Sequence, residues 1–151
     1  MHVFMKLAIE EAKKAYQKQE VPIGAVVVKD GQVISKAHNL KETKKDPTAH
    51  AEILAIQKAA KKLNTWRLED CELYVTIEPC AMCAGALVQS RMKRLIIGGM
   101  EPKFGAAGSI LNIANHPQLN HKMEVIEGVM EEECLQLMKD FFIVLRNKKT
   151  Y

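Results

Sequence analysis

The chain has 151 residues, which suits one domain (1–151) able to bury about 68–70% of the surface its unfolded form exposes, so no metal is needed merely to hold the core together. With 48% apolar, 26% charged and only 5% aromatic residues, the composition is ordinary for a globular protein, and the core must rest on Ile, Leu, Val, Met and Ala. The formal charge of +4 leans toward anionic partners but falls short of a dedicated nucleic-acid module, and no apolar run approaches the ~20 residues of a membrane span.

The opening "MHVFMKLAIEEAKKAYQ" mixes charge into its apolar residues and lacks the uninterrupted apolar stretch and small-residue cleavage site of a secretory signal, so a cytoplasmic protein is expected. Phe4, Leu7, Ala8, Ala12 and Ala15 fall at helical spacing and predict an amphipathic helix over the first seventeen or so residues. Val21-Pro22-Ile23-Gly24 breaks it. "AVVV" and "QVISKAH" then flank Asp30-Gly31, a strong hairpin signal. "NLKETKKDPT" reads as a polar, lysine-rich loop, and "AHAEILAIQKAAKKL", from Ala49, as a second helix that buries Ile53, Leu54 and Ile56. "CELYVTI" is a buried strand, "CAMCAGALVQS" a third helix and "RLIIGG" another strand. The glycine-rich "GGMEPKFGAAGS" is expected to lead into a short helical segment and the irregular "NHPQLNH". "MEVIEG" makes a last strand. The last helix, "MEEECLQLMKDFFIVLRNKK", carries a stripe of Leu135, Met138, Phe142 and Leu145. Strands alternating with helices predict an α/β layered domain on a mixed sheet, with an antiparallel opening hairpin and parallel strands where a helix intervenes.

Four cysteines stand at 71, 80, 83 and 134. Without a secretory signal, the Cys80-x-x-Cys83 pair reads as metal-binding or redox-active rather than as a structural disulfide. At the start of a helix its two sulfurs share one face, and the unpaired amides there favour thiolate. With the His50 imidazole they make three tetrahedral zinc ligands, a count that leaves the fourth position to water, as in catalytic sites. Glu52 is two residues from His50. Positions two apart diverge within a regular helix, so the two converge only at a helix entrance, which the preceding "DPT" supplies. A glutamate there that does not bind the metal can move the proton of an activated water. Together the two motifs match the H-x-E…P-C-x-x-C pattern of zinc deaminases. Cys71 and Cys134 read as small core thiols, and none of His38, His116 and His121 is expected to bind metal.

From about Phe4 to Arg146 the chain resembles the bacterial tRNA-specific adenosine deaminases, through "EVPIGAVVV", "DPTAHAEILAI", "LEDCELYVTIEPCAMCAGALVQSR", "GAAGS", "LNH" and "EEECLQLMKDFFIVLR". The resemblance implies a three-layer α/β/α fold of the cytidine deaminase type with a central mixed five-stranded sheet. It implies one zinc ion per subunit, a homodimer, and a tRNA anticodon stem-loop as partner, with arginine tRNA expected. The reaction implied is hydrolytic conversion of adenosine to inosine at the wobble position, Glu52 carrying the proton. Asn39 would then hydrogen-bond the purine, Pro22 and Ile77 would line the pocket, and backbone amides near Ala51 and Cys80 would orient the water. Phe142 would brace the anticodon. His121 is a further candidate RNA contact, and Arg146, Lys148 and Lys149, with Lys41, Lys44 and Lys45 beside the site and Arg91, Lys93 and Arg94, are candidate phosphate contacts.

Where the family usually has aspartate this chain has Glu101, whose carboxylate could accept a bond from a ribose hydroxyl; Phe104 in the same loop is a second local difference. Two other readings stay open. A deaminase of a free base or nucleoside, guanine above all, would share the zinc motifs and could use the terminal Tyr151 to close its pocket. An RNA-binding module with structural zinc would need a fourth protein ligand.

Overall fold

The computed structural model describes residues 1–149; Tyr151 lies outside them, and the side chain of Lys149 is likewise not described. In chain order the elements are α1 (His2–Gln17), β1 (Gly24–Lys29), β2 (Gln32–His38), a single turn α2 (Lys41–Lys44), α3 (Ala51–Leu63), β3 (Cys71–Ile77), α4 (Ala81–Gln89), β4 (Arg94–Gly99), β5 (Glu124–Ile126) and α5 (Glu131–Lys149). The strands form one five-stranded sheet in the order β2-β1-β3-β4-β5. β1 runs antiparallel to both β2 and β3, while the β3–β4 and β4–β5 pairs are parallel. The mixed sheet expected from the sequence is therefore present.

Local chemistry accounts for the turn that starts it. Asp30 and Gly31 both take positive φ, 51° and 75°, the pair of left-handed conformations a two-residue hairpin turn needs to match strand twist. A bulge between Val27 and Val28 then shifts the register. The apolar run of β3 is buried along nearly its whole length, as a central strand covered on both faces must be.

Helices cover both faces. On one, Leu54, Ala55 and Ala59 of α3 and Leu87 and Val88 of α4 pack on Ala25, Val27, Leu73, Val75, Leu95 and Ile97. On the other, Met5, Ala8 and Ile9 of α1 and Cys134 of α5 pack on Val26, Val28, Tyr74 and Ile96. This is the three-layer α/β/α arrangement.

Three local expectations need correction. The lysine-rich segment is not all loop, because Lys41–Lys44 forms a helical turn that ends at Lys45 in a left-handed conformation. No helix follows "GAAGS". There Ile110 and Leu111 donate back to the Gly105 carbonyl, Gly108 donates to Leu111, and Ala107 pairs with Asn112 in an isolated bridge, so the backbone closes on itself. The stripe of α5 holds at Leu135 and Met138, which pack against the core, but its aromatic position is taken by a different ring. Phe141, not Phe142, points inward; it is 8% exposed and meets Tyr16 edge-on at 5.7 Å, whereas Phe142 is 39% exposed.

Candidate active site

Two helix entrances meet, that of α3 and that of α4, which follows the central strand β3. His50 is the N-cap of α3 and Cys80 the N-cap of α4, both extended in backbone, and each carbonyl accepts the first bond of its helix, from Leu54 and Ala84 at 3.0 and 2.9 Å. An N-cap side chain projects ahead of its helix, so the two packed helices aim their first residues at one point. Cys83, one turn into α4, is fully buried beside them.

The atoms fit a metal. His50 Nδ1 lies 3.7 Å from Cys80 Sγ and 3.5 Å from Cys83 Sγ, and all three ligand atoms lie within 4.8 Å of one another. Tetrahedral zinc, with Zn–N of about 2.0–2.1 Å and Zn–S of about 2.3 Å, sets an N···S edge of roughly 3.6 Å. The histidine–cysteine–cysteine cluster therefore suits zinc in spacing and in donor set. Its three side chains are the number a catalytic site uses.

The electrostatics are those of tightly packed acids sharing few protons. Hydrogen bonding from Cys83, aided by His50, brings the Cys80 thiol down to about 4, while Cys83, as the donor in that pair and buried, is pushed well up. The bond to Cys80 raises His50. Glu52 follows Ala51 in the first turn of α3 and is 4% exposed. Burial lifts its carboxyl to about 7, and the neighbouring Cys80 adds to that; its side chain is hydrogen-bonded to Cys83. His50 and Glu52 thus converge at a helix entrance.

The remaining candidates lie on other segments of the chain. Ala51 is fully buried at the first position of α3, where a helix amide has no intrahelical acceptor. Asn39 is 7% exposed, and its side chain works on the backbone: Nδ2 donates to the Val21 carbonyl at 3.3 Å and Oδ1 accepts from Lys41 N at 3.1 Å. Pro22 is buried. Ile77 packs in the apolar cluster of the α1 and α5 face. The Glu101 carboxylate accepts from Lys103 N at 3.0 Å, and Phe104 is exposed beside it.

Among the cationic candidates, Arg94 is committed to Glu72 and Glu124, and the Arg91 guanidinium stands 5.9 Å from the Trp66 ring centroid. Lys41, Lys44 and Lys45 are exposed on the α2 turn. His121 meets the Met92 carbonyl at 2.7 Å; His38 sits between Glu11 and Lys18. Cys71 and Cys134 are buried thiols, as their sequence context suggests.

Two buried carboxylates stand out that sequence reasoning assigned no role. Glu20, 1% exposed, accepts from Glu42 N at 3.0 Å and from both Thr43 N and Thr43 Oγ1 at 2.6 Å, and so holds the α2 turn. Glu78, 2% exposed, gathers the loop after β4. Burial alone would raise the Glu78 carboxyl, but bonds from Ser109, Glu101 and Ala107 outweigh it and hold it below 4.5. Each was visible as an acid abutting an apolar strand sequence, "EVPIGAVVV" and "LYVTIEP".

An α/β/α sandwich with a histidine–cysteine–cysteine cluster that suits a metal, and a buried glutamate at two helix entrances, defines a deaminase. The sequence profile of MafB19-like deaminases accordingly matches residues 1–146. A tRNA-specific adenosine deaminase of Bacillus subtilis is 52% identical over 147 residues, covering 97% of this chain and 91% of its own. A solved structure from work on A-to-I editing by tRNA:A34 deaminases superposes with a TM-score of 0.88 at 42% identity, covering 91% of this chain and 99% of that one. The guanine deaminase of Nitrosomonas europaea shares the fold, with a TM-score of 0.78 at 23% identity over 93% of this chain and 83% of its own. The chain belongs to the family of tRNA-specific adenosine deaminases.

Proposed function

We propose that this protein converts adenosine at the wobble position of a tRNA anticodon to inosine by hydrolysis. The observation that carries the chemistry is the meeting of His50, Cys80 and Cys83 with the buried Glu52 at the entrances of α3 and α4. The family and its tRNA:A34 relatives carry the substrate.

His50 Nδ1 and the thiolates of Cys80 and Cys83 would hold one zinc ion per chain, which supplies Lewis-acid activation of a water molecule. Glu52 takes the proton from that water as oxygen bonds to C6 of the purine. It returns that proton to the ring nitrogen, then takes the proton of the hydroxyl now on C6 and passes it to the exocyclic amine, so that the carbonyl forms as the C6–N bond breaks and ammonia leaves. Glu52 is 4% exposed, which favours exchange with the reacting groups over exchange with bulk solvent. Asn39 and the amide of Ala51 orient base and water, and Pro22 and Ile77 shape the wall. On this reading Phe142, exposed near the end of α5, stacks on the anticodon.

The enzyme acts in the cytoplasm as a homodimer on the anticodon stem-loop. The exposed apolar side chains of Met82, Ile110 and Leu111 are the kind of surface that pairing would cover. No described helix is long and apolar enough to cross a membrane.

A product assay tests the proposal. Purified protein is offered an arginine tRNA transcript with adenosine at the wobble position and, separately, free guanine, and products are identified by chromatography and mass. Inosine at that single position is expected. Xanthine without inosine would assign the same metal chemistry to a free base instead.

A further inference from the structure

Glu78 stands where β3 ends and the Pro79-Cys80 turn begins, and nearly all its hydrogen-bonding capacity is directed at one loop. Glu101 N donates to Oε1 at 2.9 Å, Ala107 N and Ser109 N donate to Oε2 at 2.9 and 3.0 Å, and the Ser109 hydroxyl makes a short bond to Oε1. The backbone adds two links between the same segments, Glu78 N to the Gly99 carbonyl and Ala106 N to the Pro79 carbonyl, both 2.8 Å. Gly105 faces the carboxylate so closely that a Cβ there would come within 2.2 Å of Glu78 Cδ and Oε1. Space, not left-handed backbone, is what excludes a side chain at that position.

The loop's own backbone bonds close it on itself, whereas the Glu78 carboxylate ties it to the turn before α4. Its buried side chains are the small Ala106 and Ala107, while Lys103 and Phe104 are exposed at its tip. A cation for a phosphate and a ring for a base are the two groups that hold single-stranded nucleotides. We infer that Glu78 is a positioning residue: it locks the loop that presents Lys103 and Phe104 to the turn that presents Cys80, and so sets the offset between the flanking nucleotide and the reacting base. The inference rests on the RNA substrate proposed above and adds the residue that registers that substrate on the metal centre.

A Glu78→Gln variant keeps the side chain's size but turns an amide NH₂ toward backbone donors. Steady-state kinetics on an anticodon stem-loop, metal content and thermal stability are measured for wild type, Glu78→Gln, Ser109→Ala and the double variant. Expected for Glu78→Gln is one metal per chain, a KM raised about tenfold and kcat within about threefold of wild type, since loss of bonds to a charged acceptor falls on binding. Ser109→Ala shifts KM in the same direction by less, and the double variant is no worse than Glu78→Gln alone, because both remove one interaction. Unchanged KM in a folded Glu78→Gln, or loss of metal and kcat with KM unchanged, overturns the positioning role. If Glu78→Gln does not fold, Ser109→Ala decides by the same criterion of raised or unchanged KM. Wild type in the same assay separates the two claims: inosine from wild type with unaltered KM in the variants removes the positioning role alone, whereas no inosine from wild type removes the proposed function and the inference with it.

Discussion

The two halves of the site are built on different principles. The half that carries His50, Cys80, Cys83 and Glu52 consists of two helix N-termini, where an extended N-cap leading into the first helical turn sets the placement of His50 against Glu52 and of Cys80 against Cys83. The half proposed to face the rest of the RNA consists of two segments with little regular structure, the turn after β2 and the loop after β4. Each hangs on one buried carboxylate from elsewhere in the chain, Glu20 and Glu78. The first half is rigid because helices are rigid. The second keeps its shape through a few charge-assisted hydrogen bonds, so damage to it should be graded where damage to the first is close to all-or-none.

The sharpest way to expose that contrast is Glu52→Gln. Removing a positioned proton carrier costs about 10²–10⁴-fold in rate, and the amide leaves His50, Cys80 and Cys83 in place. Expected, then, is full metal content with kcat collapsed and RNA binding kept, read by metal analysis, single-turnover rates and a gel-shift titration. Equal loss of metal would show that Glu52 belongs to the coordination sphere and that the two halves are less separable than drawn.

The same contrast explains what could be read from the sequence. The convergence of His50, Glu52, Cys80 and Cys83 was legible because a helix entrance, marked by the residues before it, converts a short spacing into fixed geometry. The strand–helix alternation likewise foretold the layers and the mixed sheet. Glu20 and Glu78 were not, although both lie in stretches already singled out. Their partners are Thr43 and Ser109, 23 and 31 residues on, and no periodicity links an acid to amides that far along the chain. The helix expected after "GAAGS" failed for the same reason: amides that a helix would use are held by Glu78 and by the loop's own carbonyls. The stripe of α5 misled in another way. Phe141 and Phe142 are adjacent, so a shift of one residue exchanges the buried ring for the exposed one, and only the packing against Tyr16 selects between them.

That pair provides the next test. Phe141→Ala opens a cavity against α1 and should cost about 3–5 kcal/mol of stability, seen as a large fall in Tm. Phe142→Ala should leave Tm nearly unchanged and weaken binding of the stem-loop by about 1–3 kcal/mol, the value of one stacked base. Reversed effects would place Phe142 in the core and take α5 out of the RNA-facing half.

Glu20 tests whether a carboxylate anchor behaves as claimed. Burial alone would raise its carboxyl, but the Thr43 hydroxyl and the amides of Thr43 and Glu42 outweigh it and hold it below 4.5. A group whose pKa is lower folded than unfolded stabilises the fold above its unfolded value and loses that contribution as pH falls through the folded one. Tm should therefore drop as pH falls from about 6 to 3, and less steeply in Glu20→Gln, which lacks the titrating group. At neutral pH that variant should be less stable by about 1–3 kcal/mol. Parallel Tm–pH curves for the two proteins would mean that Glu20 does not anchor the α2 turn through its charge.

The smallest effect is expected at Glu101. Its backbone amide is held by Glu78 whatever the side chain, so Glu101→Asp should leave the unfolding free energy within about 0.5 kcal/mol of wild type, read from thermal melts. What changes is the reach of the carboxylate by one methylene. If that carboxylate accepts a bond from the ribose hydroxyl beside the target adenosine, the variant should shift KM for the RNA stem-loop about two- to fivefold. The shift should vanish on a stem-loop with that single hydroxyl removed, because the contact being tuned is then absent from both proteins. A shift that persists on the deoxy substrate would assign the carboxylate to shaping its own loop through Lys103, and would leave the telling of RNA from DNA to other residues.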